Sequence, residues 1–157
     1  MVRILILCTG NSARSQMAEA LLRRDGAGRV EVVSAGSRPA AAVHPLAIAA
    51  LAEVDIAWEG RVPRGMDGLE HERWDVVITV CDNAREACPY FPGQPLLVHW
   101  GMPDPAEATG SAAERLQVFR VAREVLQRRI SALLALPIER LDPAALGEQL
   151  TAIGRMP

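Results

Sequence analysis

The chain opens on an aliphatic run, Val2–Leu7, that stops at polar and glycine residues, which predicts a buried strand. A helix is expected over Ser12–Arg24, with Met17, Leu21 and Leu22 as its apolar stripe. Val30–Ser34 reads as the next strand, closed by Ala35-Gly36. Pro45 suits a helix start, and Leu46–Val54 continues that helix with Leu46, Ala50 and Val54 on one face. Asp75–Val80 and Leu96–His99 are two more strands. Ser111–Leu136 reads as one long helix: Ser111 and Glu114 form a capping box, Phe119, Ala122, Leu126, Ile130 and Leu133 recur at helical spacing, and Pro137 ends it. Asp142-Pro143 caps a last short helix carrying Leu146, Leu150 and Ile153, stopped near Gly154. Alternating strands and helices predict a single α/β domain with a central four-stranded parallel sheet and helices on both faces. In such sheets ligands bind beyond the carboxyl ends of the strands. Cys8 follows the first strand and Cys81 the third.

Composition narrows the function. A length of 157 residues, half of them hydrophobic, fits one domain with a real core and excludes a disordered chain. The net charge of −2 shows no basic footprint for nucleic acid. No apolar run reaches the roughly 18 residues of a membrane span. The apolar start is too short for a signal-peptide core and lacks a cleavage site, so the expected compartment is the cytoplasm. The cysteines are Cys8, Cys81 and Cys88, and an odd count argues against a structural disulfide framework. Without a second cysteine pair or a matching histidine pair, no zinc site is expected. His44, His71 and His99 show no ligand pattern, and Trp58, Trp74 and Trp100 read as core or pocket wall.

The densest chemical signal is Cys8-Thr9-Gly10-Asn11-Ser12-Ala13-Arg14-Ser15, set between a strand and a helix. Five residues between a cysteine and an arginine let the backbone curl with its N–H groups inward, and Gly10 and Asn11 tolerate the unusual dihedrals of such a curl. A nest of N–H groups at a helix N-terminus binds a tetrahedral oxyanion, and Arg14 can clamp two of its oxygens. The same field favours the thiolate of Cys8, the form that attacks. Ser15 can donate to the sulfur, and Asn11 can hold the loop's shape.

With strand and helix in place, this loop resembles the phosphate loop of the low-molecular-weight tyrosine phosphatase family. Gln16-Met17-Ala18-Glu19, Ser34-Ala35-Gly36 and Trp100-Gly101-Met102-Pro103-Asp104-Pro105-Ala106 resemble its thioredoxin-coupled arsenate reductase branch, and the likeness runs from Val2 to about Leu136. Residues 1–136 are therefore expected to form the family domain, with 137–157 as a C-terminal extension. The resemblance implies a relay of Cys8, Cys81 and Cys88 that turns arsenate into arsenite and is recycled by thioredoxin, with no tightly bound cofactor and no nucleic-acid or membrane partner. By spacing alone, Asp104 between Pro103 and Pro105 suits a turn acid or N-cap as well as a general acid; the resemblance implies the general acid. Some members of the branch hold a potassium ion through residues that Asn11, Glu19 and Ser34 match. Where a further acid is expected, this chain has Arg61-Val62-Pro63-Arg64, so Arg61 or Arg64 is expected to pair with Glu19 instead.

Two other readings remain open. A phosphatase acting on phosphotyrosine or a small phosphomonoester would use Cys8, Arg14 and Asp104 alone. Against it stand two further cysteines, and Ala106 where the phosphatase branch usually has tyrosine. A non-catalytic oxyanion or redox sensor would need no acid at Asp104.

Overall fold

Ile4, Leu5, Ile6 and Leu7 are consecutive and all buried, so both faces of the first strand are covered. A computed structural model describes residues 1–81, 91, 93 and 95–157. The strands are β1 (Val2–Cys8), β2 (Val30–Gly36), β3 (Val76–Thr79) and β4 (Leu96–His99). They form one parallel sheet in the order β2-β1-β3-β4. The chain thus leaves β1 for β2 on one side and returns to β3 on the other. That reversal opens a crevice at the carboxyl ends of β1 and β3, where Cys8 and Cys81 lie.

Four helices surround the sheet among the described residues: α1 (Arg14–Asp25), α2 (Pro45–Ala52), α3 (Ala112–Leu134) and α4 (Pro143–Gly154). The expected α/β architecture is therefore present, with shifts at its ends. β1 runs through Cys8, and α1 begins at Arg14 rather than Ser12 because residues 9–13 are taken up by the loop. β3 is shorter than Asp75–Val80, although the Val80 N–H still bonds the Leu7 carbonyl. α3 ends at Leu134, two residues before the expected Leu136.

The capping signals act as expected. Ser111 Oγ accepts the Glu114 N–H and the Glu114 carboxylate accepts the Ser111 N–H. Asp142 Oδ1 caps α4 through the Ala145 N–H, and Pro143 occupies the first turn. Leu146, Leu150 and Ile153 are buried, and α4 lies against β4. α3 packs on α1 and α2 through Phe119, Leu126, Ile130 and Leu133.

Charge ties α2 to α3. Arg120 and Arg123 of α3 both pair with Glu53 just beyond α2, at 2.6 and 2.9 Å, and Arg123 also donates to the Ala50 carbonyl. The hydrogen bond from Arg120 is the main cause that holds the Glu53 carboxyl at about 2 instead of 4.5. A depressed carboxyl contributes stability that is present above its unfolded value and lost as pH falls through its folded value. Glu53→Gln should therefore flatten the loss of stability between pH 4.5 and about 2, measured by denaturant unfolding at several pH values. An unchanged slope in that window would contradict this assignment.

Candidate active site

The loop after β1 is shaped from outside. The carbonyls of Cys8, Thr9, Gly10 and Ser12 accept the N–H groups of Ser37, Arg38, Ala40 and His44, at 2.9 to 3.3 Å. In a trans peptide the next N–H points opposite to the carbonyl, so outward carbonyls turn the N–H groups of Thr9, Gly10, Asn11 and Ala13 inward. The Asn11 N–H shows the result directly, lying 3.3 Å from Cys8 Sγ. The close wrap requires glycine at position 36, where a Cβ would lie 2.4 Å from the Thr9 carbonyl oxygen.

Asn11 is fully buried at φ 49°, in the left-handed region that asparagine tolerates better than most residues. Its Nδ2 donates to Ser15 Oγ at 2.9 Å and Ser34 Oγ at 2.8 Å. Its Oδ1 accepts the Arg64 N–H at 2.8 Å and Gln16 Nε2 at 3.0 Å. A main-chain donor on one side fixes which amide atom is oxygen, and with it the direction of every proton in the network. Ser15, having accepted from Asn11, donates to Cys8 Sγ at 3.2 Å. Ser34, having accepted likewise, donates to Glu19 Oε1 at 2.7 Å. Two donors thus face the Cys8 sulfur, Ser15 O–H and Asn11 N–H.

Arg14 opens α1, and its Nη1 donates to the Met102 carbonyl at 3.0 Å. Its Nη2 lies 3.7 Å from Asp104 Oδ2. Asp104 Oδ1 accepts the Ala106 N–H and so caps a short turn, while Oδ2 faces Arg14. The capping reading of this aspartate is therefore realised through Oδ1, while Oδ2 is turned toward the loop's arginine. Cys81 is buried with Sγ 3.2 Å from Thr9 Oγ1, which brings the second thiol against the loop. Cys88 lies outside the described residues.

The structure also decides the arginine question at Glu19. This carboxylate is buried; Oε1 takes the Ser34 N–H and O–H, and Oε2 faces Arg23 Nε at 2.9 Å and Arg61 Nη1 at 3.8 Å. The Arg61 guanidinium also lies 4.1 Å over the Trp58 ring, whose N–H bonds Gln16 Oε1. Arg64 serves through its main chain. The donor set does not fit a bound monovalent cation: Asn11 Oδ1 is saturated by two N–H groups, and two guanidinium groups already neutralise Glu19. Among the described residues there is also no cluster of three or more His, Cys, Asp or Glu fit to hold a metal ion.

Pattern reasoning missed the outer clamp, Ser37–His44, because its contribution is main-chain N–H groups that carry no residue signature. It missed Arg23 too, although the i,i+4 spacing from Glu19 was a readable signal. Two histidines are structural: His44 Nδ1 accepts the Leu46 N–H at the start of α2, and His99 Nδ1 lies 2.7 Å from the Thr79 hydroxyl, whereas His71 is exposed beside Glu70.

Residues 3–149 match the family described as low molecular weight phosphotyrosine protein phosphatase. The chain is 39% identical to an arsenate reductase of Halalkalibacterium halodurans over 127 residues, 81% of this chain and 91% of the relative. It is 33% identical to a glutaredoxin arsenate reductase of Synechocystis over 135 residues, 86% of this chain and 98% of the relative. A solved structure of an arsenate reductase in the phosphate-binding state superposes with a TM-score of 0.69 at 31% identity, covering 86% of this chain and 98% of that one.

With Glu19 neutralised from within the chain, potassium should not help the loop bind an oxyanion. Calorimetric affinity for inorganic phosphate should stay within about twofold when potassium replaces a bulky organic cation at constant ionic strength. Several-fold tightening by potassium would contradict the arginine assignment.

Proposed function

The chain belongs to the low molecular weight phosphotyrosine protein phosphatase family, and we propose that it uses this family's loop to reduce arsenate to arsenite through Cys8, Cys81 and Cys88. The observation that carries the proposal is Cys81 Sγ at 3.2 Å from Thr9 of the loop, because a hydrolase has no use for a second thiol there. The arsenate reductases among its relatives support the same reading.

In the proposed sequence, Thr9 to Ser15 and the Arg14 guanidinium hold arsenate by its oxygens, and the Cys8 thiolate attacks arsenic. One oxygen leaves as water, taking a proton from Asp104, and a sulfur–arsenic bond forms. The Cys81 thiolate then attacks the Cys8 sulfur. A disulfide forms, the sulfur–arsenic bond breaks, and its electron pair stays on arsenic, which leaves as arsenite. Cys88 next attacks Cys81 and expels the Cys8 thiolate, which moves the disulfide to Cys81–Cys88. Thioredoxin supplies the two electrons that reduce this bond. Water would resolve a phosphorylated Cys8 in place of Cys81, so weak phosphatase activity accompanies the reductase reading. The enzyme is placed in the cytoplasm, where thiols stay reduced; among the described residues, no helix is long and apolar enough to cross a membrane.

Sustained turnover of arsenate with reduced thioredoxin, faster than p-nitrophenyl phosphate hydrolysis, is the expected result. Cys88→Ser should release about one arsenite per chain and then stop. Continued turnover of that variant with thioredoxin would overturn the relay. Phosphate ester hydrolysis without arsenate reduction would establish the phosphatase instead, and turnover with glutaredoxin alone would replace the reductant.

A further inference from the structure

A buried cation needs a reason, and Arg129 on α3 is one. It is 5% exposed, and among the described residues its side-chain partners are carbonyls rather than acids. Nη1 donates to Trp100 and Gly101, at 3.0 and 3.3 Å. Nε and Nη2 donate to Met156, at 3.3 and 3.0 Å. Burial is the main cause that lowers its pKa from the usual arginine value, so the charge is held at a cost that an aliphatic side chain at this packed position would avoid.

The groups it grips connect two parts of the molecule. Trp100 and Gly101 lead from β4 into the segment that presents the Met102 carbonyl to Arg14 and the Asp104 carboxylate beside it. Met156 follows α4. A second tie runs the other way: the buried Trp100 indole N–H donates to the Leu150 carbonyl of α4 at 2.9 Å. α4 also approaches so closely that a Cβ on Gly154 would lie 2.7 Å from the His99 carbonyl oxygen and 2.7 Å from the Trp100 ring. The match to the family ends at residue 149, so Gly154 and Met156 lie beyond it.

We propose that Arg129, Trp100 and α4 form a brace that sets the Met102 carbonyl, and through it the orientation of Arg14 toward a bound oxyanion. Arg129 and Trp100 are then positioning residues, and the C-terminal helix belongs to the site it never touches. The inference rests on the reading of Arg14 as the oxyanion clamp.

The test is calorimetric binding of inorganic phosphate to the full chain, with thermal unfolding measured on the same samples. Arg129→Met should weaken phosphate binding by about tenfold with close to one site per chain, and Arg129→Lys should recover part of the loss. Trp100→Phe keeps the ring and loses only the N–H, and a loss of about threefold is expected. In an Arg14→Ala background the same substitutions should change the affinity no further, because the brace acts through that guanidinium. Lower melting temperatures and fewer sites per chain, with affinity unchanged within about twofold, would overturn the brace and leave a plain packing role. An equal further loss in the Arg14→Ala background would also overturn it. Absence of phosphate binding by the unsubstituted chain would instead refute the oxyanion reading on which the brace rests.

Discussion

Everything around the Cys8 loop depends on a single buried amide. Asn11 sits in a backbone conformation that few residues tolerate, and all four hydrogen-bonding positions of its side chain are filled. Because those partners leave only one arrangement of protons, Ser15 points its hydroxyl at the Cys8 sulfur and Ser34 points its own at Glu19. A buried polar network is costly when any member is unmatched and rigid when all are satisfied. Here it is satisfied, and among the described residues no buried side-chain nitrogen or oxygen lacks a partner. The loop therefore meets its ligand already shaped, and little ordering remains to be done on binding.

Two charge balances set the limits of that site. On one side Arg23 and Arg61 neutralise Glu19, so the network that ends at the carboxylate needs no exchangeable cation to stay in place. On the other side Arg14 lies between the Met102 carbonyl and Asp104, ready to exchange a weak neighbour for an anionic ligand. The 3.7 Å separation of Arg14 and Asp104 leaves both groups available to a bound oxyanion. Cys81 then stands at the loop's rim through Thr9, where the proposed reduction needs a second thiol.

Much of this was legible in the chain because the signals are local. Aliphatic runs marked all four strands, and the Ser111–Glu114 and Asp142–Pro143 caps marked where two helices begin. Cys8 through Ser15 announced the loop by residue type and spacing. What stayed hidden was carried by the main chain or by distant contacts. The clamp from Ser37 to His44 acts through N–H groups, and the close approach at Gly36 appears only when β1 and β2 are paired. α1 starts two residues later than expected because residues 9–13 are taken up by the loop, where the Ser12 hydroxyl donates to the Ala42 carbonyl. Arg129 reads as one more residue of a basic helix until Trp100 and Met156 are seen on either side of it.

Selective alkylation of Cys8, followed by peptide mass spectrometry with and without arsenate or phosphate, tests most directly whether this loop is a preformed oxyanion site around a nucleophilic sulfur. Cys8 should be modified before Cys81 and Cys88, and either oxyanion should slow its modification in a saturable way. Modification of Cys8 at the same rate under saturating oxyanion, or last among the thiols, would contradict it.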